Sequence, residues 1–268
     1  MKKYISFFKM RFYAGLQYRQ ATLGAIIVQL PWGLLECLAF HTFQKVNPQA
    51  FPMEFSAVAA YIWLKEAFFV LFSVWGNVDQ DVFDMILKGD VAYELCRPVS
   101  IYKMWFARIS ASRLAGAALR FLPVLAAASL LPKPLRFLPP QNIFVFFIFV
   151  VTMLLGVGVT VAFCMLVYIT AFYTISPQGI RLFLMSVVEF LSGSIVPIPF
   201  MPDTVKNIVE WLPFAGMMNV PFRVYSGDLI GMEMYKAMGL QIFWLFVMAA
   251  AGMALCNKAE RRMTIQGG

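Results

Sequence analysis

What this 268-residue chain lacks most is charge: Asp, Glu, Lys and Arg make up 13% of it, against 61% hydrophobic residues, and its mean hydropathy is +0.74. Ordinary soluble domains carry about 25% charged residues, so composition alone points to a membrane protein. A single histidine, His41, excludes a histidine metal cluster. There is no Gly-Lys dipeptide and hence no Walker A phosphate loop, and neither HExxH nor GxSxG occurs. The four cysteines, Cys37, Cys96, Cys164 and Cys256, show no CxxC spacing, which argues against a disulfide framework or a structural zinc. No metal or cofactor is expected in this chain, and it is not expected to act as an enzyme by itself.

What is present is a series of apolar runs. A helix needs about 20 apolar residues to cross a bilayer, and six segments qualify, at roughly 21–43, 56–78, 106–131, 143–168, 182–200 and 234–256. The connections between them leave no room for a soluble domain, so residues 1–268 form one polytopic all-α membrane domain. The basic start, with Lys2, Lys3, Lys9, Arg11 and Arg19, is followed by too long an apolar run for a signal peptide. It is expected to be an amphipathic helix over 1–20 on the inner surface, with Phe7, Phe8, Phe12 and Tyr13 touching lipid.

With both termini inside, the inner segments hold Lys2, Lys3, Lys9, Arg11, Arg19, Lys88, Arg97, Lys103, Arg108, Arg181, Lys258, Arg261 and Arg262. The outer ones hold Lys45, Lys133, Arg136, Lys206, Arg223 and Lys236. This bias favours cytoplasmic termini. The net charge of +8 then reflects topology and anionic lipid rather than nucleic acid binding.

Two interruptions stand out. Residues 79–105 form a polar insert between the second and third spans. Asp81, Asp84 and Lys88 share one narrow helical arc opposite Val82, Phe83, Met85, Ile86 and Leu87, and Gly89 is placed to end the helix. Asp79 or Asp81 is placed to cap its start. A second short amphipathic piece runs from Asp90 to Pro98. The other interruption, 194–233, is apolar but broken by Pro197, Pro199, Pro202, Pro213, Pro221 and Gly227. Bare backbone is too costly in hydrocarbon, so this region is expected to be a shielded re-entrant helical pair on the outer side.

Six charged residues fall inside predicted spans: Glu36, Lys65, Glu66, Arg113, Arg120 and Glu189. Intramembrane ionisable groups raise a functional hypothesis by default. The bland alternative is mutual pairing: Glu66 and Arg120 share a depth near mid-membrane and are expected to form a structural ion pair. Arg113, nearer the inner face, is expected to snorkel. Glu36 and Glu189 are harder to pair away. Glu36, Lys65, Glu66, Arg120 and Glu189 are thus candidates for a pathway or for internal charge pairs.

The layout resembles the permease subunit of ABC-2 type transporters. The resemblance rests on six spans, a basic inner N-terminal segment, the insert Lys88-Gly89-Asp90 through Leu95-Cys96-Arg97-Pro98-Val99, and the Pro-rich outer region Pro197-Ile198-Pro199 through Leu212-Pro213-Phe214. It implies a homo- or heterodimer in the inner (cytoplasmic) membrane, with a translocation path at the dimer interface walled by the first and fifth spans. It further implies a separate ATPase subunit that binds ATP and Mg. The insert between spans 2 and 3 would be the coupling helix that docks on it, with Asp79, Asp81, Asp84, Lys88, Gly89, Glu94, Arg97 and Pro98 as the coupling residues. An interface helix would cover about Tyr4 to Gln20, and the re-entrant pair Pro197 to Val224. A secondary, proton-coupled transporter using Glu36, Glu66 or Glu189 is the rival, and a non-transporting membrane partner of an ATPase is a third reading.

Overall fold

The computed structural model describes residues 2–74, 80–174 and 177–261. Every regular element among them is helical. Four helices are long and apolar enough to cross a membrane: α2 (Arg19–Val46), α7 (Ile101–Ser129), α8 (Ile143–Thr170) and α12 (Gly231–Glu260). The remaining helices are α1 (Lys2–Gly15), α3 (Phe55–Ala67), α4 (Phe69–Phe72), α5 (Gln80–Lys88), α6 (Val91–Leu95), α9 (Pro177–Leu191), α10 (Asp203–Val209) and α11 (Asn219–Ser226).

Three boundaries differ from the sequence expectation. The second apolar run breaks at Phe68 into α3 and α4, although no glycine or proline marks the place. The helix at the third expected span, α7, starts at Ile101, because Ile101, Tyr102, Met104 and Trp105 turn inward as core residues; the polar insert is correspondingly shorter. The fifth run ends at Leu191, where Gly193 adopts a left-handed φ of 84° that glycine takes without the Cβ penalty. Elsewhere local chemistry agrees with the sequence. Asn142 caps α8 by accepting from Val145 N–H at 2.8 Å, and Gly89, at φ 78°, terminates α5.

The most enclosed element is α3, buried continuously from Val58 to Ala67. It lies among α2, α7 and α11, while α8 packs on α12 and α11. The N-terminal helix α1 runs alongside the first half of α7. Lys3 donates to Pro98 O at 2.7 Å and the Tyr4 hydroxyl accepts from Ser100 N–H at 3.0 Å, and at the other end a Cβ on Gly15 would stand 2.7 Å from Ala115 Cβ. Phe7 accordingly joins the edge of the main core, while Tyr13 remains exposed.

Arg113 does not snorkel. Only 1% exposed, it donates to the carbonyls of Val70, Leu71 and Ser73 at 3.4, 3.0 and 2.8 Å and approaches Cys164 Sγ at 3.5 Å. The end of α4 leaves these carbonyls without intrahelical donors, and a buried carbonyl must be satisfied. A guanidinium with several donors suits a cluster of three.

The segment between α9 and α12 is closed in the same manner. Gln241 of α12 donates to Gly216 O at 2.7 Å and to Thr152 O at 3.0 Å, so the turn between α10 and α11 is held against α8. That turn lies so close that a Cβ on Gly156 would meet Met217 O at 2.1 Å. Gly156→Ala is therefore expected to destabilise the fold by about 1–3 kcal/mol through overpacking against backbone. Gly239→Ala in α12, with nothing within 4 Å of its Cβ position, should be neutral or mildly stabilising. Thermal loss of the monodisperse detergent-solubilised protein measures both, and equal midpoints would contradict the close approach.

Candidate functional site: a charged cleft between the helices

α2, α3, α7 and the end of α9 enclose a cleft of about 1050 Å³. Five residues singled out from sequence, Glu36, Lys65, Glu66, Arg120 and Glu189, all line it. They arrive from four helices: Glu36 from α2, Lys65 and Glu66 from α3, Arg120 from α7 and Glu189 from α9.

Lys65 is the hub. Its ammonium forms an ion pair with Glu36, donates to Ser194 O at 3.2 Å and lies 3.8 Å from Glu66 Oε1. The Ser194 hydroxyl in turn donates to Glu189 Oε1 at 2.7 Å. A chain of polar contacts thus runs from α2 through α3 to the loop that ends α9. An ammonium has three donors and no acceptor, which matches two carboxylates and one carbonyl.

The pairing departs from expectation in two respects. Glu66 pairs with Lys65 rather than with Arg120, and Glu36, expected to be hard to pair, has the closest partner of all. Arg120 makes no ion pair with any described residue, and its buried Nε donates to nothing. Depth along a span was the only signal available from sequence, and it does not report which face of a helix points where. Ser194 was legible only as part of a helix-breaking Ser-Gly-Ser run. Gln29, also on the cleft wall, is buried with Oε1 unpartnered; a polar residue among apolar ones in α2 was the available sign. Among the described residues no group of three or more His, Cys, Asp or Glu is placed to hold a metal ion.

A second cleft, of about 720 Å³, opens between α10, α11 and α12. Its central cation, Arg223, is held by Glu210 at 2.6 Å and Asp228 at 2.5 Å, and the left-handed Gly227 ends α11 so that Asp228 can turn back to it. This is a self-satisfied cluster that ties α10 to α11 and the loop after it.

The polar segment after α4 forms a separate surface. Asp79 lies outside the described residues, as does the Asp81 side chain. In α5, Val82, Phe83 and Ile86 are buried and Asp84 is half-buried. Lys88, Gly89, Asp90, Tyr93, Arg97 and Pro98 are exposed, Tyr93 at 77%. Glu94 lies 3.8 Å from Arg97. Arg181 of α9 stacks over the Phe83 ring at 4.8 Å and the Tyr168 ring at 5.9 Å. Sequence reasoning counted Arg181 only as an inner-side cation and left Tyr93 out of the coupling set.

Comparison with protein-family models finds no match, and comparison with curated proteins finds none either. The chain's described residues are all-helical in their regular structure, and four of their helices are long and apolar enough to cross a membrane.

Breaking a buried pair strands its partner in low dielectric, at about 3–5 kcal/mol. Lys65→Met should therefore lower the thermal midpoint sharply, and adding Glu36→Gln should recover part of the loss. A Lys65→Met protein as stable as wild type would mean that Lys65 is not the hub.

Proposed function

We propose that this chain is the membrane permease subunit of an ATP-binding cassette exporter of the ABC-2 type, working as a homo- or heterodimer with a separate ATPase that binds ATP and Mg. In this reading α3–α4 and α9 supply the second and fifth crossings. Phe55 to Phe72 spans about 27 Å and α9 about 22 Å at 1.5 Å per residue, adequate for shortened spans enclosed by other helices in a core of about 30 Å. Both termini are cytoplasmic, and the α10–α11 pair enters from the outer side.

The observation that carries the reading is the clamp of Arg181 on Phe83. The exposed ridge formed by Lys88, Asp90, Tyr93 and Arg97 offers a docking face for a soluble partner. The opposite, buried face of α5 is fastened by Phe83 to α9, and α9 carries Glu189 to the cleft about two turns further along. Force applied at the ridge is transmitted as a rigid-body shift of α9, and α2 and α9 are the walls of the cleft. Catalysis belongs to the partner.

A proton-coupled carrier is the second reading, favoured by three carboxylates in one cleft. Purification with native associates separates the two, since only the exporter requires a stoichiometric Walker-containing subunit. Tyr93→Ala combined with Arg97→Glu is expected to lower recovery of that subunit at least tenfold while membrane insertion is unchanged. Phe83→Ala should keep the subunit bound but abolish coupling of its hydrolysis to transport. Undiminished recovery in the first variant and full transport in the second would together refute the coupling role.

A further inference from the structure

The cleft contains two polar groups that the protein itself leaves unanswered. Lys65 is fully engaged by Glu36, Glu66 and Ser194, and Glu189 is engaged by Ser194. Arg120 has no carboxylate partner among the described residues, and its buried Nε lacks an acceptor. Gln29, 7% exposed, has a buried amide oxygen without a donor. A guanidinium stays charged at any physiological pH, and an unpaired cation at membrane depth is strongly disfavoured. Around these groups the walls are apolar and open: Trp32 is 62% exposed, and Leu35 and Phe69 also face the cavity. Few polar groups set in a largely apolar cavity make the usual form of a small-molecule site.

The geometry points to a binding site for an anionic amphiphile, whose acidic headgroup pairs with Arg120 while its apolar body lies against Trp32, Leu35 and Phe69. A cationic ligand is disfavoured, because Glu36 and Glu66 are already turned toward Lys65. The assignment rests on the exporter reading only in making this ligand the cargo; binding itself requires no ATPase.

The test uses the full chain in phosphatidylcholine nanodiscs without any ATPase. Trp32 is the reporter, its share of the fluorescence isolated by difference from Trp32→Phe. The probes are a brominated hexadecyl sulfate, the corresponding uncharged alcohol and the trimethylammonium analogue. Saturable quenching by the sulfate, at least tenfold tighter than by the other two, is expected. Arg120→Gln should weaken sulfate binding about tenfold, and Arg120→Lys should restore most of it. Equal quenching by the three probes, or tighter binding of the ammonium, overturns the proposal in the wild-type protein even if the Arg120→Gln variant fails to fold. Unchanged sulfate binding in a folded Arg120→Gln protein overturns it as well. Adding phosphatidylglycerol to the discs separates two sources of the same chemistry. Competition identifies a diacyl lipid headgroup as the occupant, and its absence identifies a monoacyl amphiphile; both support an anionic ligand. Absence of a co-purifying ATPase would defeat the exporter reading and leave this measurement intact.

Discussion

Carbonyl groups that no helix can satisfy, set in an interior without water, are the constraint from which the rest of this structure follows. The end of α4 leaves the carbonyls of Val70, Leu71 and Ser73 without helical donors, and the buried Arg113 guanidinium answers all three. The same solution recurs at four other places where the chain leaves helical geometry. Trp63 Nε1 donates to Leu135 O at 2.8 Å, the Tyr61 hydroxyl to Gly193 O at 3.2 Å, the Tyr225 hydroxyl to Leu138 O at 3.0 Å, and Trp244 Nε1 to Trp211 O at 2.9 Å. In each case the donor comes from a helix remote in sequence. Irregular backbone removed from solvent persists only when protein groups complete its hydrogen bonds, so these side chains fix where the irregular segments lie.

That constraint also shapes the cleft. Lys65 donates to Ser194 O, in the turn after α9, and to Glu36 on α2, and its ammonium stands 3.8 Å from Glu66 on α3. One ammonium therefore closes a helix end and joins three elements. Any motion of α9 relative to α2 must pass through this contact, since the turn it holds is continuous with the helix that α5 grips through Phe83. A polar hub between two walls is suited to switching between discrete arrangements, because its bonds are made or broken rather than stretched.

The long helices were legible because hydrophobic length is a property of sequence alone: α2, α7, α8 and α12 overlie the apolar runs near 21–43, 106–131, 143–168 and 234–256. Cleft membership was legible too, since an ionisable residue inside an apolar run is conspicuous. Partner choice was not. Matching depths suggested Glu66 with Arg120, yet pairing depends on helix rotation, which four separate helices settle only by packing. The break at Phe68 was illegible for a related reason. No local breaker stands there, and the short helix that follows is held by Arg113, more than forty residues later, whose guanidinium takes up the carbonyls at the end of α4. Tertiary context overrode local preference.

Arg113 and Arg120 put that lesson in its sharpest form. They stand seven residues apart on α7, two turns, and so share a face of the helix. Both enter an apolar environment with the same permanent charge. One meets a broken helix whose carbonyl dipoles converge on it and becomes a structural element, sealed from solvent. The other, two turns along, lines the cleft beside the last turn of α3, where the carboxylates of Glu36 and Glu66 are turned toward Lys65. Its charge therefore faces the open cavity. Identical side chains on one stripe thus separate into a keystone and a cavity-facing contact because one meets convergent carbonyls at the end of α4 and the other meets carboxylates already turned to Lys65.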